Sequence, residues 1–282
     1  MPSRLITPGD IKEYVKQTYG VSQGIDSFLA KHKTLKPITF DTSSRSVPRV
    51  LYHDVLHNPG TATAWDVALS FHRDSYLTGH TAFSLLGWTK RTGNRIYVNW
   101  IRRVQHKVTP DPIDDEAIQR VAFVQKADPP VSLTFRESEI VVLSGQIFSR
   151  DERMQLVGLP SHISLPKYAL IFRQERMFIE ALINYHVFGG PDVVWQVLLS
   201  KAREVDQDTL ARTYAEMKLK YPYANAIGYI LDSANPGSRT TDRWLKARNG
   251  DLRFHLFMGD AEDRVYVEKW SLFVPRRFFV AS

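Results

Sequence analysis

From Phe172 to Ala234 the chain keeps helical spacing with little interruption, and strand-like segments flank that run on both sides. Strands, then a block of helices, then strands again describe a segregated α+β chain rather than an alternating one. Gly189-Gly190-Pro191 ends the first helix, Phe172–Tyr185, and starts a second whose face is Val194, Trp195, Leu198 and Leu199. Asp206 caps a third helix carrying Leu210, Tyr214 and Met217. Pro222 opens a fourth with Ala226, Ile227, Ile230 and Leu231, and Asn235-Pro236-Gly237 closes the bundle. Strands are expected before it at Ile96–Ile101, Ser132–Phe135, Ile140–Leu143 and Met154–Val157, with Ile163–Pro166 leading into the helices. After it they are expected at Leu252–Met258 and Arg264–Val274.

The first fifty residues have a different order. Thr7 is placed to cap a helix with Pro8 at its first position and Asp10 in its first turn, and Ile11, Tyr14, Val15 and Thr18 mark one face. Gly20 stops it. Ser22 caps a second helix with Ile25, Phe28 and Leu29 at helical spacing. Leu35–Phe40 and Val47–Tyr52 are strand-like around a turn at Asp41–Arg45. Helix, turn, helix and two-stranded ribbon form the outline of a winged helix-turn-helix, in which the second helix enters the major groove. Ser22, Gln23, Ser27, Lys31 and Lys33 would then face DNA from the helix. Arg45 and Arg49, beside Ser43 and Ser44, would do so from the ribbon tip. Asp26 sits in the same helix and counts against a purely electrostatic footprint. A structural cap with a solvated basic face is the plainer alternative.

Residues 53–63, with Asn58-Pro59-Gly60, form a linker. Beyond it, Ala64–Phe71 carries Trp65, Ala68 and Leu69 at helical spacing. Tyr76–Trp88 carries Ala82, Leu85 and Leu86, with Gly87 as a left-handed cap. Joined by Arg73-Asp74-Ser75, the two are expected to form a helical hairpin. The expected organisation is an α+β chain with a winged helix-turn-helix in residues 1–58 and a larger mixed domain of β-strands and a helical bundle in residues 62–282.

The net charge is +7 and the pI about 9.5, a balance compatible with a polyanionic partner. Lys90–Lys107 concentrates cations, among them Arg91, Arg95, Arg102, Arg103 and Lys107, around the strand Ile96–Ile101. It is a second candidate basic surface, and equally an ordinary strand with solvated ends. No apolar run approaches the ~20 residues that cross a bilayer, and the amino terminus lacks a signal-peptide core. A cytoplasmic protein without membrane contact is expected. The absence of cysteine removes thiol nucleophiles and cysteine-ligated zinc.

Enzyme signatures are not found. Ser75, His72 and Asp74 lack a nucleophile elbow, and there is no phosphate-binding loop or dinucleotide fingerprint. His53 and His57, four apart, would share a helix face as metal ligands, but a solvated or capping role is favoured. Asp114, Asp115 and Glu116 fit a helix start better than a metal site. Glu137, Glu139 and the Glu175–Arg176 pair are the remaining carboxylates of interest, with a structural ion pair favoured for the last. Phe71, Phe83, Trp195 and Tyr229 are expected in the core, whereas Tyr19, Trp100 and Trp270 are less clearly inward. Neither a catalytic residue, a metal nor a cofactor is expected.

Tyr-x-x-Gly-x-x-Ala at Tyr76–Ala82 followed by Leu85-Leu86-Gly87-Trp88 resembles the segment opening the C-terminal domain of AbiEi-type antitoxins of type IV toxin–antitoxin systems. Gln174-Glu175-Arg176-Met177-Phe178-Ile179-Glu180 is similar to that family's Pro-Glu-Arg segment, with Gln174 in place of the usual proline, and Arg243-Trp244-Leu245 is similar to a segment before the last strands. The resemblance covers most of the chain in order. It implies a DNA-binding autorepressor acting on inverted repeats in its own operator, which also opposes a nucleotidyltransferase-like toxin without requiring a stable complex. A nucleic-acid-processing enzyme with a basic groove and a pure protein-interaction module remain the competing readings.

Overall fold

Thr7 opens the first helix by reciprocal capping. Its backbone N–H donates to Asp10 Oδ2 at 2.9 Å, and the Asp10 N–H donates back to Thr7 Oγ1 at 3.1 Å. The helix, α1, spans Pro8–Tyr19 and packs on α2, Ile25–Lys31. Ile11, Val15 and Phe28 form a small buried cluster. Tyr14 and Thr18, expected on the same face, are exposed, because a seven-residue partner helix covers only one stripe of α1. The computed structural model describes residues 5–19, 25–40, 49–56, 60–72, 75–90, 93–102, 130–143, 146–147, 170–217, 219, 221–257 and 263–280. The expected turn at 41–45, the strand at 154–157, the segment 163–166, the acidic run 114–116 and His57 lie outside them.

Strands β1, Leu35–Thr39, and β2, Val50–Asp54, pair antiparallel with Ile38 opposite Leu51 and Lys36 opposite His53. Alternation gives this ribbon two working faces. Leu35 and Tyr52 pack against the α1–α2 cluster, while Ile38, Phe40 and Leu51 belong to the core of the larger body. Ile6 extends the ribbon by exchanging backbone hydrogen bonds with Tyr52, and the Leu5 N–H donates to Ser70 Oγ. His53 is a correction to the linker reading: it lies in β2 and is buried, so its spacing to His57 does not define a helix face.

The larger body starts with α3, Ala64–Ser70, capped by a second Thr-x-x-Asp box at Thr63 and Asp66. The expected hairpin partner does not begin at Tyr76. Ser75–Leu77 is a strand, β3, and helix α4 starts only at Gly79 and ends at Leu85. Tertiary pairing overrides the local helical pattern. β3 runs antiparallel to β4, Arg95–Arg102, and the Leu77 N–H donates to Leu170 O. Gly79 makes the switch from strand to helix at φ 60°, where a Cβ would stand 2.7 Å from Val187 O. With β5, Val131–Phe135, and β6, Ser138–Val142, the sheet order is β3-β4-β6-β5. The short β7, Gln146–Ile147, pairs with the far end of β4.

The helical block comprises α5 Gln174–Ile183, α6 Pro191–Lys201, α7 Gln207–Met217 and α8 Ala224–Ala234. Asp206 caps α7 through the Thr209 N–H, as its position suggests. Asn235-Pro236-Gly237 does not close the block. A further helix, α9 Thr240–Ala247, follows and buries Trp244 edge-on against Tyr214. The tail forms a small sheet of β8 Phe254–His255, β9 Arg264–Val267 and β10 Leu272–Pro275 in the order β8-β10-β9.

The expected strand Arg264–Val274 is broken by a 3-10 turn, Glu268–Trp270. That turn drives Trp270, less clearly inward from its spacing, fully inside, and its indole N–H donates to Asp232 Oδ2 at 3.0 Å. The ring lies on Gly228 of α8, where a Cβ would fall 2.0 Å from it, so only glycine admits this packing. Phe71, Phe83, Trp195 and Tyr229 are buried. Helices and sheets together make an α+β protein. Among the described residues no helix is long and apolar enough to cross a membrane.

Candidate nucleic-acid interface

Helix α2 turns Phe28 inward and Ser27 and Lys31 outward, four residues apart on one face. His32 ends the helix. Its ring stacks on Phe28 with centroids 3.9 Å apart, and its Nδ1 lies 2.9 Å from Phe28 O. This closure sends Lys33 out to solvent and hands the chain to β1 through the Leu35 N–H to His32 O bond. Lys36 is exposed on β1. Arg49 is exposed at the start of β2, where its carbonyl accepts from the Phe40 N–H. Between Lys31 and Arg49 the sequence holds five cations against one acidic residue, Asp41. At ~3.4 Å per strand residue, Lys33 and Arg49 sit roughly 17–20 Å apart along the ribbon, about half a duplex turn.

Of the residues assigned to DNA from the sequence, Ser27, Lys31, Lys33 and Arg49 are exposed. Ser22, Gln23 and Arg45 lie outside the described residues. None of Lys31, Lys33, Lys36 and Arg49 has a carboxylate partner among the described residues. Cations of the body are held differently: Arg243 pairs with Asp208, Lys269 with Asp232, Arg276 with Asp263 and Arg277 with Asp192.

Of the second basic surface, the structure describes the side chain of Arg95. Arg95 pairs with Glu139 at 2.6 Å, and hydrogen bonds from Ser132 and Arg95 hold the Glu139 carboxyl below its ordinary pKa. Much of the Arg95 charge is therefore answered within the sheet. Arg102 contributes its backbone to β4, whereas Arg91, Arg103 and Lys107 lie outside the described residues. Trp100 is half-buried on the same strand.

The carboxylates considered for chemistry are structural where they are described. Glu175 accepts from Gln174 Nε2 and from the Asp206 N–H. Arg176 does not pair with it. Arg176 Nε donates to Glu180 Oε1 at 3.0 Å, and the guanidinium lies 3.7 Å from the centroid of the Phe172 ring. Glu180, wholly buried, also accepts from the Tyr76 hydroxyl and from Thr78 Oγ1, both at 3.0 Å. Burial first, and the Glu180 charge second, push the Tyr76 phenol well above its ordinary pKa, so it remains a donor. This network joins β3 to α5 and is closed to solvent. Its spacing gave no signal in the sequence, because Tyr76 and Glu180 are 104 residues apart. Ser75 and His72 meet through backbone groups, the His72 N–H donating to Ser75 Oγ and the Ser75 N–H to the His72 carbonyl, and no group of three metal-binding side chains occurs among the described residues.

No family model and no curated protein matches this chain. Among solved structures, the RV2827C protein from Mycobacterium tuberculosis is similar at a TM-score of 0.45 and 15% identity, over 96% of this chain and 86% of that one.

Proposed function

We propose that this chain is a DNA-binding transcriptional regulator of the AbiEi type: an autorepressor that binds inverted repeats in its operator through a winged helix-turn-helix. The observation that carries the reading is the run of exposed cations, Lys31, Lys33, Lys36 and Arg49, which passes from the end of α2 onto the ribbon without carboxylate partners among the described residues. Cations left unpaired on one element are available to phosphates, and releasing the phosphate counterions supplies the affinity. In the same reading the larger body opposes a nucleotidyltransferase-like toxin and needs no reactive centre of its own.

The test is duplex binding by anisotropy, using the promoter region upstream of the gene and a scrambled duplex of equal length. With about four phosphates engaged, log K falls against log salt with a slope of roughly −3.6. Combined Lys31→Glu, Lys33→Glu and Arg49→Glu abolishes binding and leaves the circular dichroism unchanged. Equal affinity for promoter and scrambled duplex would overturn the autorepressor reading. For the toxin, co-expression with the neighbouring reading frame restores host growth if the pairing is right.

A further inference from the structure

The carboxyl end of α2 holds one titratable ring among permanent cations. His32 follows Lys31, the last residue of the helix, and precedes Lys33, and both lysines are exposed. The His32 N–H donates to the Phe28 and Leu29 carbonyls at 3.1 and 3.2 Å, which fixes the backbone under the ring. The ring lies nearly flat on Phe28, with centroids 3.9 Å apart at 20°. Its Nδ1 stands 2.9 Å from the Phe28 carbonyl oxygen. A carbonyl oxygen can only accept, so Nδ1 carries the hydrogen. The uncharged ring then has its free lone pair on Nε2. That atom has no partner among the described residues and is not enclosed by them.

The charged groups around the ring come from every element near it. The free carbonyls at the end of α2 favour positive charge, whereas Lys31 on the helix and Lys33 and Lys36 after it oppose more of it. On β2, Asp54 stands opposite Leu35 and accepts from the Leu56 N–H at 3.1 Å. On α1, Tyr14 meets the Phe28 ring with centroids 5.9 Å apart, and Glu13 accepts from Gln17 Nε2. No carboxylate forms an ion pair with His32 among the described residues. A proton added at Nε2 is therefore answered only by an anion brought from outside.

We propose that His32 is a proton-coupled phosphate contact of the duplex surface: its Nε2–H donates to a backbone phosphate beside Lys31 and Lys33, and the ring takes up a proton as the duplex docks. The inference rests on the duplex reading above and adds to it a residue and a condition. The neutral ring offers a phosphate only a lone pair, which repels it. The imidazolium keeps its Nδ1–H on the Phe28 carbonyl, gains a donor at Nε2 and gains a charge, all without moving the ring. The proton comes from solvent, adds to the Nε2 lone pair and returns to solvent when the complex parts. Hydrogen bonds from a charged donor to phosphate belong to the stronger class. Histidine is the side chain that changes charge near neutral pH, so the interface carries permanent cations and one conditional one.

The experiment measures anisotropy of the full-length protein with the labelled promoter duplex and the scrambled duplex, between about pH 6 and about pH 8 at constant ionic strength. Wild-type affinity is expected to rise about tenfold from the upper to the lower pH. The salt slope should steepen by about 0.9 at the lower pH, one further phosphate. His32→Asn keeps a donor near the Phe28 carbonyl but cannot titrate. It should lose this pH dependence and bind as the wild type does at the upper pH. His32→Arg should also lose it and bind as the wild type does at the lower pH. Calorimetry near pH 7 in two buffers of different ionisation enthalpy should show proton uptake by the wild type and none by either variant. Phosphates carry no sequence, so both duplexes should show the same pH dependence. Equal affinity for the two duplexes, which overturns the autorepressor reading, therefore leaves this contact standing.

Wild-type binding that does not change with pH would overturn the contact alone. So would a His32→Asn or His32→Arg variant that keeps the wild-type dependence, or proton uptake that survives in both. Absence of duplex binding at every pH overturns it together with the reading beneath it.

Discussion

The amino-terminal unit and the larger body solve the same folding problem with different means. The unit has three fully buried apolar side chains of its own, Ile11, Val15 and Phe28, and closes locally through the Thr7–Asp10 box and the Phe28–His32 stack. The body has a continuous core and ties distant segments together with buried polar contacts, Glu180 to Tyr76 and Asp232 to Trp270. Its cations are largely spent on carboxylates or carbonyls, whereas those of the unit face solvent. Stability therefore concentrates in the body, whereas the described cations of the unit are left facing water. Mutations should separate the two: core changes in the body cost folding, charge changes in the unit cost binding.

The largest effect tests the buried network. Glu180→Ala leaves Arg176 buried without its carboxylate and strips Tyr76 and Thr78 of their acceptor. A loss of about 3–5 kcal/mol in urea unfolding is expected. A value near zero would remove the basis of the contrast. Gly228→Ala comes next: the added methyl meets the Trp270 ring, and overpacking of this kind costs about 1–3 kcal/mol, read as a lowered thermal midpoint.

A smaller change addresses the joint between the regions. Phe40 meets Phe71 edge-on with centroids 5.8 Å apart, and Phe40→Leu keeps an apolar side chain while losing about 1 kcal/mol of ring contact. Hydrogen exchange should quicken in β1 and β2 before it does in β4; uniform quickening would mean that the two regions open together. The smallest effect is a pH dependence. Because the folded pKa of His255, about 4, lies below its ordinary 6.5, the unfolded chain binds more protons between those values. The contribution is complete above about pH 6.5 and is lost as pH falls toward 4. The ring is half exposed, so the slope is shallow. His255→Gln should flatten it, and the Glu180→Ala variant should retain it.

What could be read from the sequence follows the range of the responsible interaction. The capping residues Thr7 and Asp206 were legible because each acts within four residues. The helical block was legible because its period repeats over many turns. Tyr76 and Leu77 looked helical because their neighbours Ala82 and Leu85 are. What makes them a strand is Asn99 and Val98, two dozen residues on. Helix α9 was hidden behind a Pro-Gly turn that normally ends a helical region. At the candidate interface, the exposure of Lys31, Lys33 and Arg49 is what their charge leads one to expect. At the second surface the partner of Arg95 was not legible, because Glu139 lies on a strand forty-four residues away.

A single strand, β2, is the party wall between two interiors: Tyr52 looks into one and Leu51 into the other. Severing the chain after it would not release a self-sufficient amino-terminal unit. The fragment would carry away a sheet stripped of its backing, with Ile38, Phe40 and Leu51 turned to water and prone to clump with its own kind. Whatever the amino-terminal unit grips, the whole molecule is thus carried with it at a set angle, and a ligand seated on the body has a stiff handle on that grip.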